Sequence, residues 1–157
     1  MKSRLSKWLG VVAIVCSGAA LAEQNWLVTP DEVKQEAVWE ENNPAARTFR
    51  TRAFLEDSPD IILVTPVSLL EPLKAPFPIH VSFKAKDGAI VKPESFRVLY
   101  GFLKIDITER LASRARIGTE GASVENADIP AGNHRLVLRV SDDRGRQGET
   151  ELRFSVQ

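Results

Sequence analysis

Cysteine is nearly absent from this sequence of 157 residues, which contains only Cys16. A single cysteine cannot close a disulfide within the chain and cannot supply a cysteine-rich metal site. Histidine is also scarce, because only His80 and His134 are present, far apart and without a recognisable ligand spacing. The composition therefore disfavours a zinc centre and indicates that stability comes from packing. We expect no bound cofactor.

Long apolar runs are equally scarce, since the only one lies near the start of the chain. Lys2, Arg4 and Lys7 precede an uncharged run of about 15 residues, which is shorter than the roughly 20 residues needed to cross a bilayer. The sequence Ala20-Leu21-Ala22 then places small residues where signal peptidase cleaves. We therefore expect residues 1–22 to be a signal peptide.

Cleavage after Ala22 would leave a periplasmic or secreted protein that begins at Glu23 and has no membrane-inserted segment. It would also remove Cys16, so the mature chain would carry no thiol. Lipidation at Cys16 is the alternative. It is disfavoured because Val15 stands where lipoprotein signals have a small residue.

Neither sign of charge is in excess, because 21 Lys and Arg residues balance 21 Asp and Glu residues. The leader holds three of the basic residues and none of the acidic ones, so its removal leaves 18 against 21 and a net charge of −3. A weakly acidic chain of this kind does not favour nucleic acid or an anionic membrane as a partner.

Residues 23–58 are polar and contain one clear helix signal. Thr29 offers an N-cap hydroxyl, Pro30 suits the first helical position, and Glu32 completes a capping box. We predict a helix from Pro30 to about Glu41, with a narrow apolar stripe formed by Val33, Ala37 and Val38. Such a helix must dock on another surface or fray.

Three arginines follow this helix. Arg47, Arg50 and Arg52 are separated by uncharged residues within residues 45–54. The pattern leaves three interpretations open, namely a short edge strand, an extended arm and a solvated linker.

Residues 59–157 change to short runs in which apolar and polar residues alternate, the pattern of strands with one dry and one wet face. The clearest run has its apolar residues at Ile79, Val81, Phe83 and Ala85. Further runs lie at 61–64, 96–100, 103–107, 135–140 and 151–156, and residues 114–128 predict two short strands around Gly118 and Gly121. We expect about seven strands, a helical turn at 108–113, and a core that includes Phe83, Phe96 and Phe154.

Residues 61–156 resemble bacterial immunoglobulin-like domains, in the broad sense that includes fibronectin type III domains. The resemblance rests on the entry into the strand from Pro72 to Phe83, the corner Ile129-Pro130-Ala131-Gly132-Asn133-His134 and the closing turn Asp142-Asp143-Arg144-Gly145. It implies an all-β, antiparallel immunoglobulin-like sandwich with a short N-terminal helix. His134 stands where such domains carry a tyrosine that bonds back to the corner. The sandwich has no cysteine pair and no tryptophan, which excludes the antibody type.

Catalytic motifs are missing from the sequence. Neither histidine accompanies a nucleophile elbow, and the acidic residues near the last turn lack the spacing of a calcium loop. We therefore predict a protein that is not an enzyme. A small hydrolase would need a concave pocket that gathers His80 or His134 with two carboxylates.

The strongest candidates for partner binding lie in the N-terminal segment, because tryptophan and arginine are enriched at binding hot spots. They are Trp26, Trp39, Arg47, Arg50 and Arg52. An alternative role for the tryptophans is to pin the helix to the sandwich. We predict protein–protein recognition or assembly with another cell-envelope protein. A carbohydrate or cell-wall binding module is the first rival, and an exposed planar row of aromatic rings would favour it.

Overall fold

The structure is a computed structural model that describes residues 27–44, 58–66 and 69–157. Two helices and eight strands lie in these residues. The helices are α1 (Pro30–Asn42) and α2 (Thr108–Ala112). The strands are β1 (Asp60–Thr65), β2 (Phe77–Lys84), β3 (Val91–Tyr100), β4 (Ile105–Asp106), β5 (Arg116–Gly118), β6 (Gly121–Ala127), β7 (Gly132–Asp142) and β8 (Gln147–Val156). Neither helix has the length and apolar character that crossing a membrane requires.

The strands form two antiparallel sheets of four, in the orders β1-β2-β6-β5 and β4-β3-β7-β8. When the strands are lettered A, B, C, C′, D, E, F and G in chain order, the sheets become A-B-E-D and C′-C-F-G. This is the strand order of an immunoglobulin-like sandwich. The predicted fold class is confirmed, with eight strands in the described residues where about seven were expected.

The core lies between the two sheets, where the alternating apolar residues meet. Phe83 of β2 contacts Phe96 of β3 with ring centroids 5.2 Å apart, and this contact joins the sheets. Phe77 and Phe154 meet edge to face at 5.9 Å. The core prediction is confirmed, because Phe83, Phe96 and Phe154 are 6%, 2% and 7% exposed.

The hairpin predicted at the end of the chain is also confirmed. β7 and β8 pair from Gly132 opposite Val156 to Ser141 opposite Gln147. The turn between them uses Gly145 at φ +77°, a backbone conformation that favours glycine. The two short strands expected around Gly118 and Gly121 are β5 and β6.

One strand prediction was wrong in extent. The run at residues 103–107 forms only the two-residue strand β4, because the backbone turns at Gly101 and Lys104, which have φ of +67° and +52°. The Asp106 carboxylate then accepts a hydrogen bond from the Thr108 amide at 2.9 Å, in the turn that leads from β4 into α2. The helical turn predicted at 108–113 is confirmed as α2.

Helix α1 begins as its sequence predicts. The Thr29 hydroxyl accepts a hydrogen bond from the Glu32 amide at 3.3 Å, and the Glu32 carboxylate accepts one from the Thr29 amide at 2.7 Å. The predicted apolar stripe is confirmed at only one of its three residues, however. Val33 is buried, but Ala37 and Val38 are exposed, and the second buried residue of the helix is Glu36.

Helix α1 docks on the second sheet, against the start of β7 and the turn that follows β3. Val33 lies so close to Gly132 that a Cβ atom at position 132 would be 2.7 Å from its side chain. Arg135 lies on the outer face of β7, because it alternates with the buried His134 and Leu136. The helix therefore covers the outer face of this sheet at one end, and its Val33 packs with the buried hydrophobic core.

Candidate functional site

Trp39 is held in a fixed position on the docked helix. Its ring stacks on that of Phe102 with centroids 5.0 Å apart and planes 5° from parallel. The guanidinium carbon of Arg135 lies 4.8 Å from the centroid of the same ring. A parallel ring and a cation over the ring are both favourable aromatic contacts. They bring together residues from α1, the turn after β3, and β7.

Glu36 attaches the buried side of helix α1 to the sandwich. It is 2% exposed, and its Oε2 accepts a hydrogen bond from the Phe102 amide at 2.7 Å. Its Oε1 lies 3.2 Å from Nε of Arg135, although the N–H does not point along this contact. Burial raises the pKa of Glu36 above its usual value of 4.5, against the opposing effects of Phe102 and Arg135. The same two residues that hold Trp39 therefore also hold Glu36.

A second ion pair fixes the beginning of the helix. Both oxygens of Glu32 accept hydrogen bonds from Nη1 of Arg110, at 3.0 and 2.9 Å. Burial alone would raise the pKa of Glu32, but the hydrogen bonds from Arg110 and Thr29 outweigh it and lower that pKa. Helix α1 is thus attached to the sandwich at its first turn and at its middle.

An apolar groove opens on the solvent side of the helix, with a volume of about 510 Å³. Its lining residues are Lys34, Gln35, Val38, Trp39, Asn42, Asn43 and Phe102. Val38 is 59% exposed there. The Asn42 and Asn43 amides donate to the carbonyls of Val38 and Trp39 at 2.8 and 2.9 Å, which satisfies the end of the helix. We call this feature the α1 groove.

Of the five residues predicted to bind a partner, the structure describes only Trp39. Trp39 lines the α1 groove, and it also helps to fix the helix through its contacts with Phe102 and Arg135. Trp26, Arg47, Arg50 and Arg52 lie outside the described residues. Sequence reasoning missed Val38, Phe102 and Arg135 as members of one surface. The only local signal was Gly101, which marks a turn that places Phe102 against the helix.

A second depression, of about 580 Å³, lies on the outer face of the first sheet around β5 and β6. It contains His80, Ser123 and Glu120, with Nε2 of His80 3.5 Å from Oε1 of Glu125. This Nε2 makes no hydrogen bond, so no base is aligned on a nucleophile through it. The depression therefore brings a histidine near a carboxylate.

His134 occupies the corner position that the sequence assigned to it. It is 2% exposed, and its Nε2 lies 2.8 Å from the Pro130 carbonyl oxygen. Its Nδ1 lies 3.1 Å from the Tyr100 hydroxyl. The histidine therefore bonds back to the corner, as the tyrosine of related sandwiches does.

Metal-ligating side chains do not cluster in the described residues, where no group of three or more His, Cys, Asp and Glu residues could hold an ion. In the acidic turn between β7 and β8, a buried carboxylate is already used by neighbouring groups of the protein. Oδ1 of Asp142 accepts hydrogen bonds from the amides of Arg144 and Arg146, and Oδ2 accepts one from Nε of Arg146. This carboxylate is therefore occupied within its own turn.

No protein-family model and no curated protein matches the sequence. Among solved structures, the chain is similar to CopC from Methylosinus trichosporium OB3b. The two sequences are 15% identical, and the similarity covers 62% of this chain and 94% of that one with a TM-score of 0.41. The class of this protein is defined by its own strand order, that of an antiparallel immunoglobulin-like β-sandwich, here with a helix docked on its outer face.

Proposed function

We propose that this chain is an exported, non-catalytic protein that acts in protein–protein recognition or assembly in the cell envelope, and that the α1 groove is its contact surface. The observation that carries this proposal is the groove itself, in which exposed Val38 lies beside the fixed rings of Trp39 and Phe102. Export is inferred from the leader sequence at residues 1–22.

The groove has the composition of a binding hot spot. Its floor is apolar and aromatic, and tryptophan is enriched where truncation costs most of the binding energy. The ring of Trp39 is already ordered by Phe102 and Arg135 in the chain alone. Binding a partner would therefore cost little side-chain entropy at this residue.

Exposed aromatic rows, which would favour a carbohydrate-binding module, are missing from the described residues. Five rings, those of Phe77, Phe83, Phe96, Tyr100 and Phe154, are buried in the sandwich. The large apolar side chains that are exposed are aliphatic: Val38, Ile62, Val64, Leu70, Ile90 and Leu103. Sugar rings stack on open aromatic faces, whereas aliphatic and aromatic side chains together suit a protein partner.

The test is capture of partners from periplasmic extract by the tagged, processed protein. Val38→Arg places a charge in the groove without disfavouring the helix, because arginine is a good helix former. Ile90→Arg is the matched control, since Ile90 is 60% exposed and lies away from the groove. We expect Val38→Arg to abolish a specific capture that Ile90→Arg retains.

Two results would overturn the proposal. One is capture that Val38→Arg and Ile90→Arg affect equally, because the groove would then not be the contact surface. The other is retention of the protein by peptidoglycan or by a glycan array without any protein capture, which would establish the carbohydrate-binding alternative.

A further inference from the structure

We propose that the α1 groove receives a second copy of this chain, with two α1 helices packed antiparallel about a two-fold axis at Val38. This inference rests on the proposed function, because it uses the same contact surface and names what fills it. Cyclic dimers are the commonest oligomers, and their interfaces pair one surface patch with itself.

The shape of the surface suits a helix pair. Val38 is at the middle of the exposed side of α1, a helix of 13 residues that is about 20 Å long. Its small side chain would let a second helix approach to about 8–10 Å, the usual distance between packed helices. Phe102, with the exposed Leu103 beside it, would flank the contact from each copy.

The polar residues around Val38 are arranged for self-pairing. Lys34 and Gln35 precede Val38 by four and three positions, and Glu41 and Asn42 follow it by three and four. An antiparallel pair centred at Val38 therefore places Lys34 beside Asn42 and Glu41 of the second copy, twice over. A parallel pair would instead oppose like charges, Lys34 to Lys34 and Glu41 to Glu41.

The contacts that Lys34 and Asn42 make within one chain do not prevent them from pairing with a second copy. Lys34 pairs with Asp31 at 3.3 Å within the helix, but both side chains are more than three-quarters exposed, and such surface pairs contribute little stability. Asn42 uses its amide nitrogen on the Val38 carbonyl, so its Oδ1 is an acceptor available to a lysine.

The experiment measures the molar mass of the processed protein in solution by sedimentation over a series of concentrations. We expect a dimer whose Kd weakens about tenfold with Lys34→Glu or with Glu41→Lys, because each change introduces like charges at two symmetric contacts. The double variant Lys34→Glu/Glu41→Lys exchanges the charges and should restore the wild-type Kd. Glu94→Lys, an exposed charge change on β3, is the control and should leave Kd unchanged.

Unfolding of helix α1 would not explain a Kd that weakens in the single variants and recovers in the double variant. Lys34→Glu adds an acidic residue toward the start of α1 and Glu41→Lys adds a basic residue to its last turn, and both complement the helix dipole. Circular dichroism of each variant should therefore show unchanged helix content.

Several results would overturn the inference. A monomer at every concentration would do so, as would a dimer insensitive to Val38→Arg or a double variant as weak as the single ones. A monomeric protein that still captures an envelope protein through Val38 would overturn only the self-pairing. A groove-dependent dimer with no such capture would support the self-pairing and overturn recognition of another protein.

Discussion

At the scale of single residues, His134 is a buried polar side chain with a partner at each ring nitrogen. It is enclosed by the Pro130 carbonyl, the Tyr100 hydroxyl and the ring of Phe154, whose centroid is 5.3 Å away. Burial lowers the pKa of His134 below its usual value of 6.5, although the Pro130 carbonyl favours the charged form. A neutral ring donates one hydrogen bond and accepts the other, so it suits both neighbours.

His134 therefore predicts a loss of stability in mild acid. Because its folded pKa is depressed, the unfolded chain takes up the proton first as the pH falls below about 6.5, the usual histidine value. The free energy of unfolding should decrease from that pH down to the folded pKa. His134→Gln should remove this decrease, as measured by urea unfolding at several pH values. His80→Gln is the control, and an equal effect of both variants would contradict the assignment to His134.

Asp142 is a second residue whose surroundings predict a large effect. It is completely buried in the β7–β8 turn, where Arg144 and Arg146 satisfy it. Burial would raise the pKa of Asp142, but these hydrogen bonds outweigh it and lower that pKa. Its contribution is therefore present above the unfolded value of about 3.8 and is lost as the pH falls through the lower folded pKa.

We expect Asp142→Ala to lower the free energy of unfolding by about 3 kcal/mol, because it removes the three hydrogen bonds that the buried carboxylate accepts, each worth about 1 kcal/mol. The neighbouring Asp143 is exposed and accepts one hydrogen bond, from the Ile90 amide at 3.0 Å. Asp143→Ala should cost only about 1 kcal/mol. Equal losses in denaturant unfolding of the two variants would show that the turn does not depend on Asp142.

At the scale of elements, the attachment of α1 depends on a glycine in the opposing turn. Gly101 has φ +67°, and a Cβ atom there would lie 2.7 Å from Oε2 of Glu36. That oxygen cannot move away without losing its hydrogen bond to the Phe102 amide. The absence of a side chain at Gly101 is therefore what lets the buried carboxylate of the helix reach the sandwich.

Gly101→Ala should consequently loosen α1 as well as destabilise the chain. Gly88→Ala is the matched control, because Gly88 has φ +71° and nothing within 4 Å of the added atom. Both variants should lose about 1 kcal/mol from the unfavourable φ. Only Gly101→Ala should lose more and also change the fluorescence of Trp39, which is measured in a Trp26→Phe background of residues 23–157, where Trp8 is absent. Identical behaviour of the two variants would contradict the described role of Glu36.

For helix α1, the sequence was enough to predict the first residue but not the buried face. Its start at Pro30 was predicted correctly, because Thr29 and Glu32 form a capping box from four consecutive residues. Its buried face was not, because Glu36 is a charged residue whose burial is compensated by Phe102 and Arg135. Those partners are brought to the helix by the sheet, and no local pattern of α1 indicates them.

At the scale of the whole molecule, alternation of apolar and polar residues was enough to predict the sandwich. It identified β2, β3, β7 and β8 because each of these strands has one face in the core and one toward solvent. It could not predict the α1 groove, whose residues come from a helix and from the turn after β3. A surface assembled from distant segments has no periodicity of its own.

Cleavage of residues 1–22 would set where the mature chain begins. If residues 1–22 are a cleaved leader, the processed protein begins at Glu23 and lacks Cys16, the single cysteine of the sequence. Its intact mass should match residues 23–157, it should not react with a thiol reagent, and reductant should leave its melting temperature unchanged. Ala22→Leu should block processing, because signal peptidase requires a small residue there, whereas Glu23→Gln should not. An acylated N-terminus at Cys16 would instead identify a lipoprotein, and an unprocessed chain in the membrane fraction would identify a retained anchor.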